Sequence, residues 1–148
     1  MTDNMQAFLS MLSVSEGTHN IGSERGYNVL VGGTIFEGYA DHPRQCVQLS
    51  KTLKSTAAGR YQILERYYDA YKKQLGLVDF GPRAQDVIAL QLIKECRATK
   101  LIDDGKIRDA INACSSRWAS LPGAGYGQRE NSLASLLKAY QAAGGTLA

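Results

Sequence analysis

Residues 5–36 read MQAFLSMLSVSEGTHNIGSERGYNVLVGGTIF, and the change of period inside this stretch decides the fold class. Met5, Phe8, Leu9 and Leu12 recur at helical spacing, so the pattern predicts an amphipathic first helix running to about Ser15. Gly17 is placed to end that helix, because a left-handed cap costs glycine nothing. Glu16 then stands at the helix's carboxyl end. Beyond it, residues 17–43 hold six of the fifteen glycines. Tyr27, Val29 and Val31 alternate, Gly32-Gly33 interrupts, and Thr34-Ile35-Phe36 resume β-favouring residues, which predicts a hairpin.

Working outward, Asp41-His42-Pro43 reads as a turn and residues 49–56 as an exposed polar loop. From about Gly59 the period becomes helical. Leu64, Tyr67, Tyr68, Tyr71 and Leu75 line one face, with Gly76 as cap. Pro82 suits the first turn of the next helix. There Val87, Ile88, Ala89, Leu90, Leu92, Ile93 and Cys96 are apolar nearly all round, the mark of a central buried helix. Ile107, Ala110, Ile111 and Cys114 make a shorter helix. Leu133, Leu136, Leu137 and Tyr140 make the last, closed by Gly144-Gly145. The class is α+β, mostly helical, with a small sheet near the amino terminus.

Composition narrows the function classes. At 148 residues, 44% hydrophobic and 21% charged, the chain suits one globular domain, too apolar for disorder. No apolar run approaches the roughly 18 residues of a membrane span, and Met1 to Gln6 lack the basic start of a signal peptide, so a soluble cytoplasmic chain without membrane insertion is expected. Seventeen Lys and Arg interleave with fourteen Asp and Glu for a net charge of +3, too weak a bias to suggest nucleic acid. Cys46, Cys96 and Cys114 are odd in number with no CxxC pair, and read as inert buried thiols. His19 and His42 form no metal spacing, so neither a metal nor a cofactor is expected.

Three places carry candidate chemistry. Glu16 ends a helix after an apolar run; the negative end of the helix dipole and partial burial would both raise its pKa, as a proton donor near pH 7 requires. Context alone also permits a plain surface glutamate. Ser55-Thr56-Ala57-Ala58-Gly59-Arg60-Tyr61-Gln62-Ile63 has small residues that let a bound chain approach the backbone, with Gln62 on the following helix presenting its amide; the alternative is a simple helix entry capped by Ser55 or Thr56. Leu121-Pro122-Gly123-Ala124-Gly125-Tyr126-Gly127-Gln128 is a glycine-broken loop whose Tyr126 could stack on a sugar or pack on the core. It lacks the GxGxxG or Lys-Ser/Thr of a phosphate cradle.

The runs Gly26-Tyr27-Asn28-Val29-Leu30-Val31-Gly32-Gly33 and Asp41-His42-Pro43-Arg44, with residues 53–64, 69–77 and 121–128, closely resemble the lambdoid phage endolysins. The likeness runs from Phe8 to Thr146. It implies a lysozyme-like α+β fold in a single domain over residues 1–148, mainly helical, with a substrate groove between two lobes. It implies a monomeric lytic transglycosylase acting on peptidoglycan glycan strands, with Glu16 as catalytic acid. Ser55, Arg60, Tyr61, Gln62, Gly125 and Tyr126 are the implied substrate contacts, and the loops near 45–56 and 121–131 the lips of the groove. It also implies residence in the host cytoplasm until a separate membrane-pore protein gives access to the periplasm. The family pattern has Asp where this chain reads Tyr27-Asn28-Val29; with a single catalytic carboxyl that departure is harmless. A hydrolytic lysozyme using Glu16 and a water, or an inactive glycan-binding module, are the competing readings.

Overall fold

The computed structural model describes residues 1–125 and 130–148. It packs as two compact units: residues 1–15 with 89–148, and residues 16–88. Among the described residues there are six helices and one two-stranded sheet.

In the first unit, helix α1 (Asp3–Ser15) is capped by Thr2, whose Oγ1 accepts the Met5 amide at 3.1 Å. Met5, Phe8, Leu9 and Leu12, the stripe foreseen from its period, are buried, and so is Met11. Each contributes about 1.5–3 kcal/mol by leaving water. The helix packs on α6 (Leu133–Ala142) and α4 (Thr99–Asp103), and α5 (Ile107–Cys114) packs on both of these. Ser132 caps α6 through its Oγ, and the amides of Gly144 and Gly145 close the helix onto Gln141 and Tyr140 carbonyls. Cys114 is buried as expected, but Cys96 is half-buried and Cys46 exposed, so the inert-thiol expectation fails for Cys46.

The second unit opens with the glycine-rich segment. Val29 pairs antiparallel with Ile35, and the Leu30 amide donates to the Thr34 carbonyl at 2.7 Å. The hairpin is therefore real, though it turns over three residues, with Gly32 and Gly33 at φ +92° and +102°. Residues 57–59 run beside it: the Val31 amide donates to Ala57 and the Gly59 amide to Val29. The expected polar loop at 49–56 is partly a ribbon instead. Strand β1 (Val47–Gln48) pairs antiparallel with β2 (Lys54–Ser55). Two residue pairs made of polar and mixed side chains leave too short an alternation to detect in sequence.

Helix α2 (Glu65–Leu75) ends at Gly76, φ +66°, as foreseen. Its first amide, Glu65, donates to Thr56 Oγ1 at 3.1 Å, so Thr56 does supply a cap, from nine residues upstream. Helix α3 (Pro82–Glu95) starts with Pro82. Ala84, Gln85, Ile88, Ala89, Leu92 and Ile93 are buried along it, while Val87 and Leu90 are only half-buried. His42 is buried between Tyr68 and Phe80, with ring centroids 5.8 and 4.9 Å away. Its Nδ1 accepts the Arg44 amide at 3.0 Å, which leaves Nε2 to donate to the Ile63 carbonyl at 2.9 Å.

Candidate active site

Glu16 follows the last residue of α1, is half-buried, and precedes Gly17 at φ +75°. The helix terminus and the glycine break both form as the sequence predicts. The carboxyl therefore stands at the start of an irregular, glycine-rich segment, where a glutamate within the helix could not be presented.

The segment 55–62 is held from three sides. Ser55 Oγ accepts the Ala57 amide at 3.1 Å. Thr18 Oγ1 donates to the Arg60 carbonyl at 2.6 Å, and the Arg60 amide donates to Gln85 Oε1 at 2.9 Å. Gln85, completely buried, donates its two amide hydrogens to the Tyr27 and Phe80 carbonyls. A Cβ on Gly59, φ +84°, would collide with that side chain, so only glycine permits the approach.

Gln62 departs from its expected placement. It lies before α2 rather than on it, with φ +53°, a left-handed conformation uncommon for a non-glycine residue. Its Nε2 donates to the Val29 and Gly59 carbonyls at 3.2 and 2.9 Å, which anchors the side chain. Tyr61 also departs. It is 1% exposed and its hydroxyl donates to Asp86 Oδ1 at 2.6 Å, so it supports its neighbours rather than meeting a ligand. Burial, then Asp86, push its pKa upward. The Tyr27 hydroxyl donates to the same oxygen at 2.8 Å and accepts Arg60 Nη1 at 3.2 Å. The Arg60 guanidinium lies 5.3 and 5.7 Å from the Tyr27 and Tyr61 ring centroids, a cation–π arrangement that fixes this half-buried side chain.

Asn28 is buried, and its Nδ2 donates to Glu24 Oε2 at 2.7 Å. Glu24 Oε1 accepts the Tyr39 hydroxyl at 3.0 Å; burial and this bond push the Tyr39 pKa up to about 12. In the other unit, the Gly123 and Gly125 amides donate to the two Glu130 oxygens, each at 3.1 Å. Gly125 is exposed, φ +74°. Tyr126 lies outside the described residues. Among the described residues no cluster of His, Cys, Asp or Glu has the makings of a metal site.

An endolysin family model matches residues 6–147. The chain belongs to the endolysin family. It is 55% identical to the endolysin of Escherichia phage lambda, over 99% of this chain and 95% of that one. It is 49% identical to the endolysin of Escherichia phage P2, over 96% of this chain and 93% of that one. Its structure matches bacteriophage lambda lysozyme complexed with a chitohexasaccharide at TM-score 0.98 and 54% identity, covering 100% of this chain and 98% of that one. A second structure, lysozyme from bacteriophage lambda, matches at TM-score 0.93 and 53% identity over the same shares. The fold is thus lysozyme-like α+β, as the resemblance implied.

Residues that sequence reading missed are those joining distant segments. Gln85 and Asp86 gave one faint signal, two polar residues directly before the apolar run Val87-Ile88-Ala89-Leu90. Nothing local marks their partners at Tyr27, Phe80 and Arg60.

Proposed function

We propose that this endolysin is a monomeric lytic transglycosylase. It cleaves the β-1,4 bond between N-acetylmuramic acid and N-acetylglucosamine in peptidoglycan, with Glu16 as its acid–base group. The observation carrying this reading is how the other carboxylates of residues 16–88 are engaged. Asp41, Glu65 and Asp69 clasp Arg44. Asp86 takes the Tyr27 and Tyr61 hydroxyls, Glu24 takes Asn28 and Tyr39, and Asp79 accepts the Gly81 amide. Glu37, the remaining carboxylate of this unit besides Glu16, is exposed. A hydrolytic glycosidase commonly uses two carboxyls, one on the leaving oxygen and one on water or carbon.

A single carboxyl suffices when the nucleophile is already attached to the substrate. Glu16 protonates the glycosidic oxygen, and its carboxylate then takes the proton of the muramic acid C6 hydroxyl. That oxygen attacks C1 of the same ring, leaving a 1,6-anhydro end and consuming no water. Intramolecular attack gains from proximity, worth several kcal/mol of the barrier. Ser55, Arg60, Gln62, Gly125 and Tyr126 are assigned to glycan binding. The chitohexasaccharide in the solved relative supports a glycan ligand. We assign access to the periplasmic substrate to a pore made by a separate protein.

Digestion of purified peptidoglycan followed by mass spectrometry tests the assignment. Each new muramic end should be lighter than a hydrolytic end by one water, about 18 Da, and should resist borohydride, because the cyclised C1 is no longer free. Glu16→Gln should cost about 100-fold or more in activity while the protein stays folded. Reducing, borohydride-sensitive ends would make water the acceptor and the enzyme a hydrolase. Undiminished activity of Glu16→Gln would remove Glu16 from catalysis.

A further inference from the structure

Ser15 is the last residue of α1, and its carbonyl belongs to the helix-terminal acceptors that have no partner within the helix. Asn131 supplies one. Its Nδ2 donates to the Ser15 carbonyl at 2.9 Å, with Ser15 Oγ at 3.2 Å and the Ser120 carbonyl at 3.2 Å. The Asn131 amide also donates to the Ser120 carbonyl at 2.8 Å, and the hydroxyls of Ser15 and Ser120 lie 2.7 Å apart. Ser15 is 7% exposed, so these bonds form largely out of water, where losing one is costly.

The bonded oxygen matters because of what shares its plane. The Ser15 carbonyl and the Glu16 amide nitrogen belong to one rigid peptide unit, so fixing that oxygen fixes the direction of the bond from Glu16 N to its Cα. On the other side Glu16 is followed by Gly17 at φ +75°, a residue that imposes little steric restraint of its own. The upstream peptide plane is therefore one restraint on the direction in which the Glu16 side chain sets out. We propose that Asn131 is a positioning residue for catalysis, holding the Ser15–Glu16 peptide plane through its amide and so aiming the Glu16 carboxyl. This rests on the reading of Glu16 as the acid, and it assigns a role to a side chain that need not touch the glycan.

The position also demands an amide rather than a carboxylate. The Ser15 carbonyl is at the negative end of α1, and a donor there offsets partial negative charge beside Glu16. Aspartate would keep the shape, remove the donor and add a negative charge, which favours the protonated form of a neighbouring carboxyl.

The test measures kcat and KM on solubilised glycan strands for Asn131→Ala, Asn131→Asp and a control, Ser132→Ala. The control removes the α6 cap next door, the bond from the Ser135 amide to Ser132 Oγ at 3.2 Å, without touching Ser15. Asn131→Ala should lose about tenfold in kcat with KM changed less than about twofold, as expected for a misaimed catalytic group. Ser132→Ala should lower Tm and leave kcat as in the parent. Asn131→Asp should also lose kcat, and the limb of its pH–rate profile where the acid deprotonates should move to higher pH. That profile decides the matter if Asn131→Ala is too unstable to assay. Parental kcat in folded Asn131→Ala, equal losses in the alanine variant and the control, or an unmoved limb in Asn131→Asp would each overturn the proposal. Glu16→Gln, run in parallel, separates the two levels. If it stays active the reading of Glu16 fails, whereas if it is dead while the Asn131 variants are unaffected only this inference fails.

Discussion

Gly59→Ala and Gln85→Ala together give the strongest test of how the 55–62 segment is held. Gln85 is completely buried and satisfies three backbone groups: the Tyr27 carbonyl at 2.9 Å, the Phe80 carbonyl at 2.8 Å and the Arg60 amide at 2.9 Å. Truncation to alanine strips all three. At about 1–2 kcal/mol for each buried group left unpaired, Gln85→Ala should cost about 3–6 kcal/mol. Gly59→Ala has two costs. Alanine at φ +84° carries about 1–2 kcal/mol of left-handed strain. Its Cβ would also collide with the Gln85 amide and come within 3.1 Å of the Phe80 ring, so Gln85 must move and its three bonds weaken. The single variant should therefore cost about 4–6 kcal/mol, the strain added to most of the Gln85 loss.

In the double variant the obstruction is gone, and Gly59→Ala should add only its strain, about 1–2 kcal/mol. The cycle thus predicts a coupling of about 3 kcal/mol, well outside the 0.3–0.5 kcal/mol within which independent sites add. Urea unfolding followed by far-UV circular dichroism measures all four corners. Because a domain of this size has about 5–15 kcal/mol of stability, the single variants should be marginal but still populated when cold. Additivity would refute the reasoning, since it would mean that Gly59 is required for its dihedral angle and not for the passage of Gln85.

Two further predictions concern polar groups outside the residues assigned to glycan binding. Asn28→Asp would set a carboxylate 2.7 Å from Glu24 Oε2 in place of a donor, so the pair must share a proton. The folded-state pKa is then raised, the stability contribution is lost as pH rises through it, and Tm of this variant should fall from pH 5 to pH 8 relative to the parent; wall lysis should change by less than about tenfold, since no acid–base step is assigned here. His42, whose pKa is lowered by burial against the opposing pull of the Ile63 carbonyl, contributes stability that is complete above the unfolded value of 6.5 and is lost as pH falls below it. Thermal melts between pH 7.5 and 5 should show that loss and His42→Gln should flatten it; an identical slope in the variant would assign the effect elsewhere.

The parts of the fold legible in sequence were those whose cause is local. The α1 period, the stops at Gly17 and Gly76, the start at Pro82 and the Gly32-Gly33 turn each depend on a few adjacent residues. Glu16 was legible for the same reason, as the residue between a helical stripe and its glycine break. The misplaced residues have causes far away in the chain. Gln62 was expected on a helix, but Val29 draws its amide into a left-handed turn from thirty-three residues upstream. Tyr61 was expected to contact the substrate, but it is buried and its hydroxyl meets Asp86 twenty-five residues downstream. Asn131 was not singled out within the 121–131 loop, because its partner Ser15 is 116 residues away.

These distant bonds share a physical cause. Residues 16–64 make only a two-pair ribbon and isolated bridges, too little sheet to pair their own backbone groups. Buried carbonyls must nevertheless find donors. Side chains provide them: Gln62 for Val29 and Gly59, Gln85 for Tyr27 and Phe80, His42 for Ile63, and Thr18 for Arg60. Asn131 does the same for Ser15 and Ser120 in the other unit. A strand ladder would satisfy those carbonyls more cheaply, but it would force the chain into extended register and carry its side chains alternately to two faces. Side-chain donors free the backbone to take the left-handed turns at Gly17, Gly59 and Gln62, and those turns are what set Glu16, Arg60 and the Gln62 oxygen where they stand. It follows that amide side chains of this endolysin, polar as they look in sequence, carry part of the fold: removal of Gln85 takes the donor from the Tyr27 and Phe80 carbonyls in a segment with little ladder to fall back on.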